Sequence, residues 1–452
     1  MQKSGILAIV LIILLGAAAA APYWFGMQAE EAYNKSMQEL TQDSQIVVTR
    51  QTYERGWLDS TAEATYSFGG LPGSLTVINK IYHGPIPIEG ELDFRPVLAL
   101  IKGQASLNLP MGPKLPPISG KTTIALDGQS ISHFEVAAVN STDPSGSSLS
   151  WQGLSGDVTA SADLKQINLN ILAPLLQINS PTQKLSMSKT RVTATLQQGA
   201  SGLTTGNLSY TIDKLSSETD KGTLVLNGLV LATSSAEAGS NLNANVDLKL
   251  QSLSDGASTY GPGVINIKVT NLDAATLAKY KKELRELETK KLPPEQMPSA
   301  VMGKMVALVA NLAKKIPEIN VSKISLKFKE GEITGSGKVV LDGSDGNIAE
   351  NPELLLMALR GDGEVFVPQT ALKALAAFDL SRQVESFKSQ GKFSEDEMKK
   401  LTPQKISEIS ASAAPKYMQR YAHTLKLVPE GDNYKMSLTL SRGQFLLNGQ
   451  HL

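Results

Sequence analysis

Asn241-Leu242-Asn243-Ala244-Asn245-Val246-Asp247-Leu248-Lys249-Leu250-Gln251 alternates apolar and polar residues at every step. Successive side chains of a strand project to opposite faces. A strict period of two therefore puts Leu242, Ala244, Val246, Leu248 and Leu250 on one face, with Asn243, Asn245, Asp247, Lys249 and Gln251 on the other. One apolar face and one wet face is the pattern of an antiparallel sheet.

The same pattern recurs outward from this stretch. Ile265, Ile267 and Val269 alternate with Asn266, Lys268 and Thr270, and Ile324, Leu326 and Phe328 with Ser325, Lys327 and Lys329. A turn at Lys329-Glu330-Gly331-Glu332 returns the chain through Ile333 to Leu341, and Leu425 to Leu440 repeats the hairpin around Pro429 to Asn433. Gly443 and Asn448-Gly449 punctuate the last strands. The prediction is an antiparallel meander. Its candidate apolar face is Leu242, Val246, Leu248, Leu250, Ile265, Ile267, Ile324, Leu326 and Phe328. Ser, Thr, Asn and Gly crowd residues 120–260, which reads as solvated sheet surface.

Helices are predicted in the second half. Asp273 is a candidate N-cap, followed by the stripe Leu277, Tyr280, Leu284 and Leu287, with Lys281, Lys282, Arg285 and Glu286 on the wet side. A second helix is expected from Ser299 to Lys315, with Met302, Met305, Val306, Val309 and Leu312 as core filler and Pro317 as its end. Asn351-Pro352 reads as a further helix start. Ser394 to Glu397 fits a capping box, Thr402-Pro403 an N-cap with Pro at the first helical position, and residues 369–422 read as mostly helical.

The chain has 452 residues, 43 basic and 43 acidic, with 41% hydrophobic residues and no cysteine. Zero formal charge gives no global field toward nucleic acid. Without cysteine there are no disulfides, thiolate metal sites or acylated thiol. The start carries its own signal. Lys3 precedes the run Ile6 to Ala21, then Pro22-Tyr23-Trp24-Phe25, and the next charge is Glu30. That uncharged length makes about 39 Å of helix, against a hydrocarbon core of about 30 Å. Tyr23, Trp24 and Phe25 fit an aromatic belt, and Lys3 a cytoplasmic flank. The span length favours an uncleaved anchor over a signal peptide cut near Ala17 to Ala21. Glu30 to Leu40 reads as a helical stem.

No pattern specifies a reaction. His83, His133, His423 and His451 form no i, i+3 or i, i+4 pair. Gly120-Lys121-Thr122 resembles the end of a phosphate loop, but Leu115 stands where the motif needs glycine. Gly335-Ser336-Gly337 lacks a third glycine, and Asp342-Gly343-Ser344-Asp345-Gly346 has the wrong spacing for a calcium loop. Tyr53-Glu54-Arg55-Gly56-Trp57-Leu58-Asp59-Ser60 reads as a bulge at Gly56 with Trp57 turned inward. His83-Gly84-Pro85 reads as a turn with a satisfied histidine.

Several of these segments are also the basis of a resemblance. Gly5 to Phe25, Arg55-Gly56-Trp57-Leu58-Asp59-Ser60, Asn79-Lys80-Ile81-Tyr82-His83-Gly84-Pro85, Trp151 to Gly156, Asn271-Leu272-Asp273 and Leu446-Leu447-Asn448-Gly449-Gln450 together resemble the YdgA/YihF family, a proteobacterial domain-of-unknown-function family of inner-membrane-associated proteins. The resemblance spans nearly the whole chain. It implies an envelope protein and assigns no catalytic residue. It marks Arg55, Gly56, Trp57, His83, Gly84, Pro85, Asn448 and Gly449 as family-like positions. A looser likeness to AsmA-like envelope proteins, carried by the anchor, the amphipathic strands and two passages (271–277 and 317–337), concerns architecture alone, and fold does not assign function.

The expected protein is α+β and mostly β: an N-terminal transmembrane helix (1–26), a β-rich periplasmic region (27–270), a helical insertion (271–318) and a C-terminal α+β region (319–452). The sheet is expected to be long, antiparallel and curved, with helices packed on it in the C-terminal half. The expected role is a non-enzymatic, inner-membrane-anchored periplasmic protein that guides lipid along a sheet face. The alternative is an assembly partner for a second copy or other envelope proteins. No cofactor or nucleic acid is expected.

Overall fold

A computed structural model describes residues 20–451 apart from 36, 39–45, 69–72, 90, 93–94, 109–114, 144, 221, 257, 290–292, 294, 345–347, 349–350, 352–353 and 425. The chain is mostly β, antiparallel throughout its described pairings, with a few helices. It divides into two units, one of residues 1–213 and 278–302, the other of 214–277 and 303–452.

In the first unit each long strand pairs with the next in sequence. β1 (Ile46–Arg55), β2 (Asp59–Phe68) and β3 (Ser74–His83) lead into Val97–Asn108, Ile118–Ala125 and Ser130–Val136. The ladder then continues through Leu154–Ala160 and Gln166–Asn179 to Gln183–Gln198. Such sequential pairing keeps every hairpin local and needs no crossover. Helix α1 (residues 20–35) lies on one face of this sheet: Ala29 and Tyr33 pack on Ala62, Ile81 and Ala99, which are at most 4% exposed. Ala62 and Ala99 are small, and that lets the helix approach the strands closely.

In the second unit Asn241–Leu250 pairs with Gly222–Ala238 and with Gly263–Asp273. The ladder runs on through Glu318–Phe328, Gly331–Leu341, Leu359–Pro368 and Asn433–Ser441. The stretch read from sequence as a strand is one, and the register joins the strands into rows, although burial does not alternate along it: Asn243, Asn245 and Asp247 are half-buried like their apolar neighbours. Leu231, Leu248, Ile265 and Ile324 stand directly opposite one another on four neighbours. Val246 opposes Ile267, Leu250 opposes Gly263, and Gly263 opposes Leu326. On the other face Asn245 donates to Ser234, Asn266 to Asp247, and Ser325 to Glu332 at 2.6 Å. Gly335-Ser336-Gly337 is ordinary strand, with Gly335 opposite Val365 and Gly337 opposite Gly363.

Helices Ala274–Thr289 and Met297–Ala313 connect two directly paired strands. Asp273 caps the first, accepting from Thr276 N at 2.8 Å. Leu287 is buried, and Lys281, Lys282, Arg285 and Glu286 are exposed, as the stripe implies. The second helix corrects the sequence reading. Ala310, Leu312 and Ala313 form its buried side, whereas Met302 and Met305 are 59% and 44% exposed. Periodicity located the helix but missed that small residues give closer packing against Ile348 and Ala358. Helices Gln369–Ser389 and Pro403–Thr424 pack together, placing Leu372, Met418 and Ala422 on Val367 and Tyr434 of the last strands. The capping box at Ser394 is present, and Thr402 accepts from Lys405 N at 3.2 Å. The helix start at Pro352 lies outside the described residues, and helix Leu354–Ala358 follows it.

Among the described residues no helix is long and apolar enough to cross a membrane. The expected anchor lies outside them up to residue 19, and only its last residues, 20–26, are described. A charge placed on the apolar rows should be poorly tolerated. Leu248→Asp is expected to cost at least about 2 kcal/mol by urea unfolding, whereas Lys249→Asp, on the wet face, should stay within about 0.5 kcal/mol. Equal effects would mean the face is misassigned.

Candidate functional site

Two places in the fold gather the residues that sequence had marked. The first is the seat of α1. The β1–β2 turn (residues 56–58) and the end of β3 meet the helix here. Gly56 N donates to Asp59 O at 2.8 Å, and a Cβ on Gly56 would stand 2.6 Å from that oxygen, so only glycine fits. The segment is thus a hairpin turn, not a bulge. Trp57 does not pack inward. It is 56% exposed, with its ring 5.1 Å from the Tyr23 ring. Sequence missed this because Trp57 packs against a helix residue 34 positions away, a contact that no local pattern encodes.

Arg55 joins the same cluster. Its guanidinium meets Glu30 at 2.8 Å, donates to Tyr23 Oη at 3.3 Å and lies 5.0 Å from the Tyr23 ring. Behind it, His83 is 2% exposed and fully partnered. Its Nδ1 lies 3.2 Å from the Trp57 carbonyl, which can only accept, so the proton sits on Nδ1. Nε2 then accepts from Ser60 Oγ at 2.8 Å. A histidine beside a serine hydroxyl is the geometry of a general base and its nucleophile. Here, however, Ser60 is 1% exposed, and a Cβ on Gly26 of α1 would come within 2.7 Å of His83 Nδ1. No room is left for a substrate, and the pair acts as a polar peg beneath the helix. Gly84 and Pro85 hold the next strand through Gly84 N to Leu98 O (2.9 Å) and Val97 N to Pro85 O (2.8 Å).

The other family-like positions lie in the second unit. Asn448 and Gly449, with φ of 50° and 77°, form a two-residue hairpin turn between Leu447 and Gln450. The Asn448 side chain accepts from Ser437 N at 2.6 Å and donates to the Lys426 carbonyl. Their role is to close the C-terminal strands.

The second place is the apolar sheet face. All nine candidate residues, Leu242, Val246, Leu248, Leu250, Ile265, Ile267, Ile324, Leu326 and Phe328, are half-buried. At Phe328 the face reaches a cavity of about 480 Å³ lined by Tyr260, Phe328, Leu375 and Phe378. The Tyr260 and Phe328 rings meet edge to face at 5.4 Å, and Phe378 is 46% exposed. Among the described residues no group of His, Asp and Glu side chains is arranged to hold a metal. His133 has Asp157 at 2.9 Å across the strand pair.

An antiparallel meander with a helix seated on its first strands defines a mostly β, α+β protein in which His83 and Gly84 are buried under that helix while Arg55 and Trp57 stay at the surface, and that is the class to which the chain is assigned. The chain matches over residues 1–452 a family described as bacterial protein of unknown function (DUF945), and it belongs to that family. It is similar to Protein YdgA of Escherichia coli (strain K12), with 22% identity covering 100% of this chain and 95% of that protein. No solved structure matches it.

The seat makes two expectations. Gly26→Val should displace α1 and lower the thermal midpoint, while Gly303→Ala, with open space around it, should leave the midpoint unchanged or raise it. Equal melting of both variants would refute the docking. Burial pushes the Tyr33 phenol up to about 12, and its hydroxyl has no hydrogen-bond partner among the described residues. An unfolded phenol titrates near 10, so between about pH 10 and 12 the folded state holds more protons. The stability from this burial is full below about pH 10 and is lost as pH rises through about 12. The urea midpoint should fall over that window, and fall less in Tyr33→Phe. A fall of the same size in the variant would assign the effect elsewhere.

Proposed function

We propose that this chain is a non-enzymatic protein of the bacterial cell envelope. Its N-terminal segment spans the inner membrane, its body lies in the periplasm, and the second unit binds a hydrophobic ligand of the lipid class along its apolar sheet face. The observation that carries the reading is the continuous row Leu231, Leu248, Ile265 and Ile324, half-buried rather than enclosed, on a face that reaches the aromatic-lined cavity at Phe328. The cavity sets Tyr260, Phe328, Leu375 and Phe378 beside Ser258, Thr259, Lys329 and Glu330, so an acyl chain would find an apolar wall and its polar end a polar one. The absence of a catalytic role rests on the closure of the Ser60–His83 pair beneath Gly26.

A second reading is an assembly partner that recruits other envelope proteins or a second copy. Phe378 and Phe387 on one helix and Ile409 on another are exposed apolar side chains, which favour a docked chain. Photocrosslinking separates the two. With a benzophenone amino acid in place of Phe328 or Leu375, lipid adducts are expected, and few should form at Lys249 on the wet face. Protein adducts at Phe328 and Leu375 would favour the second reading, and no enrichment over Lys249 would refute both. Because Leu248 is half-buried, Leu248→Ala should cost about 1 kcal/mol rather than the roughly 2–5 kcal/mol of an enclosed leucine.

A further inference from the structure

Helix α1 runs along the first hairpin, and its partners fix its direction. Tyr23 meets Trp57 in the β1–β2 turn, Glu30 meets Arg55, and Tyr33 meets Tyr53. Further on, Met37 Sδ accepts from Tyr66 Oη at 3.6 Å, and Tyr66 lies opposite Val48. The start of α1 is therefore at the turn end of the hairpin, and the helix proceeds toward the end that carries Val47 and Val48. The chain before residue 20 consequently joins the body at the β1–β2 turn.

That end is apolar. Trp57 and Leu58 are 56% and 46% exposed, Tyr23 and Trp24 are 37% and 52%, and Ile86 is 39%. They come from three segments that meet around His83, whose amide donates to Leu58 O at 2.9 Å and whose ring lies against Gly26. Tips of turns in water are ordinarily polar. The charges here are paired or stand further back. Arg55 and Glu30 pair at 2.8 Å behind Trp57, Asp59 pairs with Lys80 at 3.3 Å, and the exposed Glu31 and Glu54 lie behind the aromatic rings. From the tip inward, aromatic and apolar side chains come first and charges follow, which is the order found across a membrane–water interface.

We infer that this tip of the first unit sits in the headgroup layer of a lipid bilayer, with Tyr23, Trp24, Trp57, Leu58 and Ile86 as its inserted side chains. The inference rests on the proposal that the N-terminal segment spans the inner membrane. It adds that the folded body is seated on that membrane and does not hang from a free stalk. The occupant follows from where the chain leads. Residues 4–29 carry no charge. About 20 residues cross a bilayer, and counted from Ile6 such a span ends near Phe25. Tyr23 and Trp24 then lie at the interface, where amphipathic rings are favoured. The Trp57 ring, 5.1 Å from the Tyr23 ring, lies at the same level. Glu89, Glu91 and Asp93 follow Ile86 in sequence and set the depth. Ionised carboxylates are costly in hydrocarbon, so the seat is the headgroup layer. The exposure of Trp57, which no contact within the hairpin explains, has its reason in this seat.

The test uses the full chain in phospholipid vesicles. Because the chain has no cysteine, Leu58→Cys, Ile86→Cys, Val47→Cys and Leu14→Cys each carry a single fluorescent label. Val47 is 54% exposed and lies about 30 Å from Trp57 along the same hairpin, at roughly 3.3 Å per residue. Phosphatidylcholine with a nitroxide on its headgroup should quench the labels at Leu58 and Ile86 several-fold more strongly than the label at Val47. Phosphatidylcholine with a nitroxide in its acyl chain should quench the label at Leu14, which reads the span separately. Quenching at Leu14, with Leu58 and Ile86 no stronger than Val47, would overturn the seat and leave the span standing. No quenching at Leu14 would overturn the span and the seat with it. In Trp57→Ser/Leu58→Ser, which removes exposed side chains, the Ile86 label should lose about half of its quenching while the Leu14 label keeps its own. An unchanged Ile86 signal in that variant would mean that the span alone holds the body close, and the seat would be overturned. Excimer emission from pyrene at Leu58→Cys, without quenching by lipid, would assign the tip to a second copy and likewise overturn the inference.

Discussion

The structure depends most on cross-strand register. Because strand side chains alternate with a period of two, a slip of one residue would move Leu248 to the wet face and Lys249 into the apolar rows. The same rule acts in the first unit, where one register puts Ala62, Ile81 and Ala99 under α1 and Lys80, Lys102 and Lys121 on the other side. A chain with no cysteine has no covalent tie to correct a slip. Burial of one face, together with tight turns such as Asn448-Gly449, must hold the register alone.

The seat of α1 illustrates how this register is put to use. Tyr53, Ala62, Ser60, Ile81, His83 and Ala99 come from four strands and meet only because consecutive strands pair in sequence order. The helix then adds Glu30, Tyr33 and Tyr23 from outside the sheet. Small alanines set the approach, Gly26 leaves space for the imidazole, and the Ser60–His83–Trp57 chain satisfies polar groups that the helix has cut off from water. A buried polar group without partners would cost free energy, so the peg is needed wherever histidine occupies this position. Nothing in its geometry requires a reaction.

How much of this was legible in sequence follows from the range of each interaction. Period-two runs and hairpin turns are local, so the strands around Leu248, Ile265 and Ile324 and the caps at Asp273, Ser394 and Thr402 could be read directly. Trp57 was misread because its partner Tyr23 belongs to another element. Met302 and Met305 were misread because hydrophobicity favours large residues, whereas this contact selects alanine. That Lys80, Lys102, Lys121 and His133 stand opposite one another was invisible because they are 22, 19 and 12 positions apart, and only the register makes them neighbours.

The two faces of the protein differ in what they ask of a partner. The helices Gln369–Ser389 and Pro403–Thr424 cover the apolar face at Val367 and Tyr434, and there Tyr434 is enclosed, with Leu372 and Ala422 of the helices buried against it. Toward Leu248, Ile265 and Ile324 the cover is incomplete, and the same kind of side chain keeps contact with water. Each half-buried leucine or isoleucine forgoes about 1 kcal/mol that full burial would supply. Over a row of four such residues that is about as much free energy as a thousandfold change in affinity. An apolar ligand that completed the burial could draw on it without any rearrangement of the sheet, and ordering one flexible chain along a preformed row costs less than building the row anew. That difference between a covered end and an open middle is what makes ligand binding the stronger of the two readings.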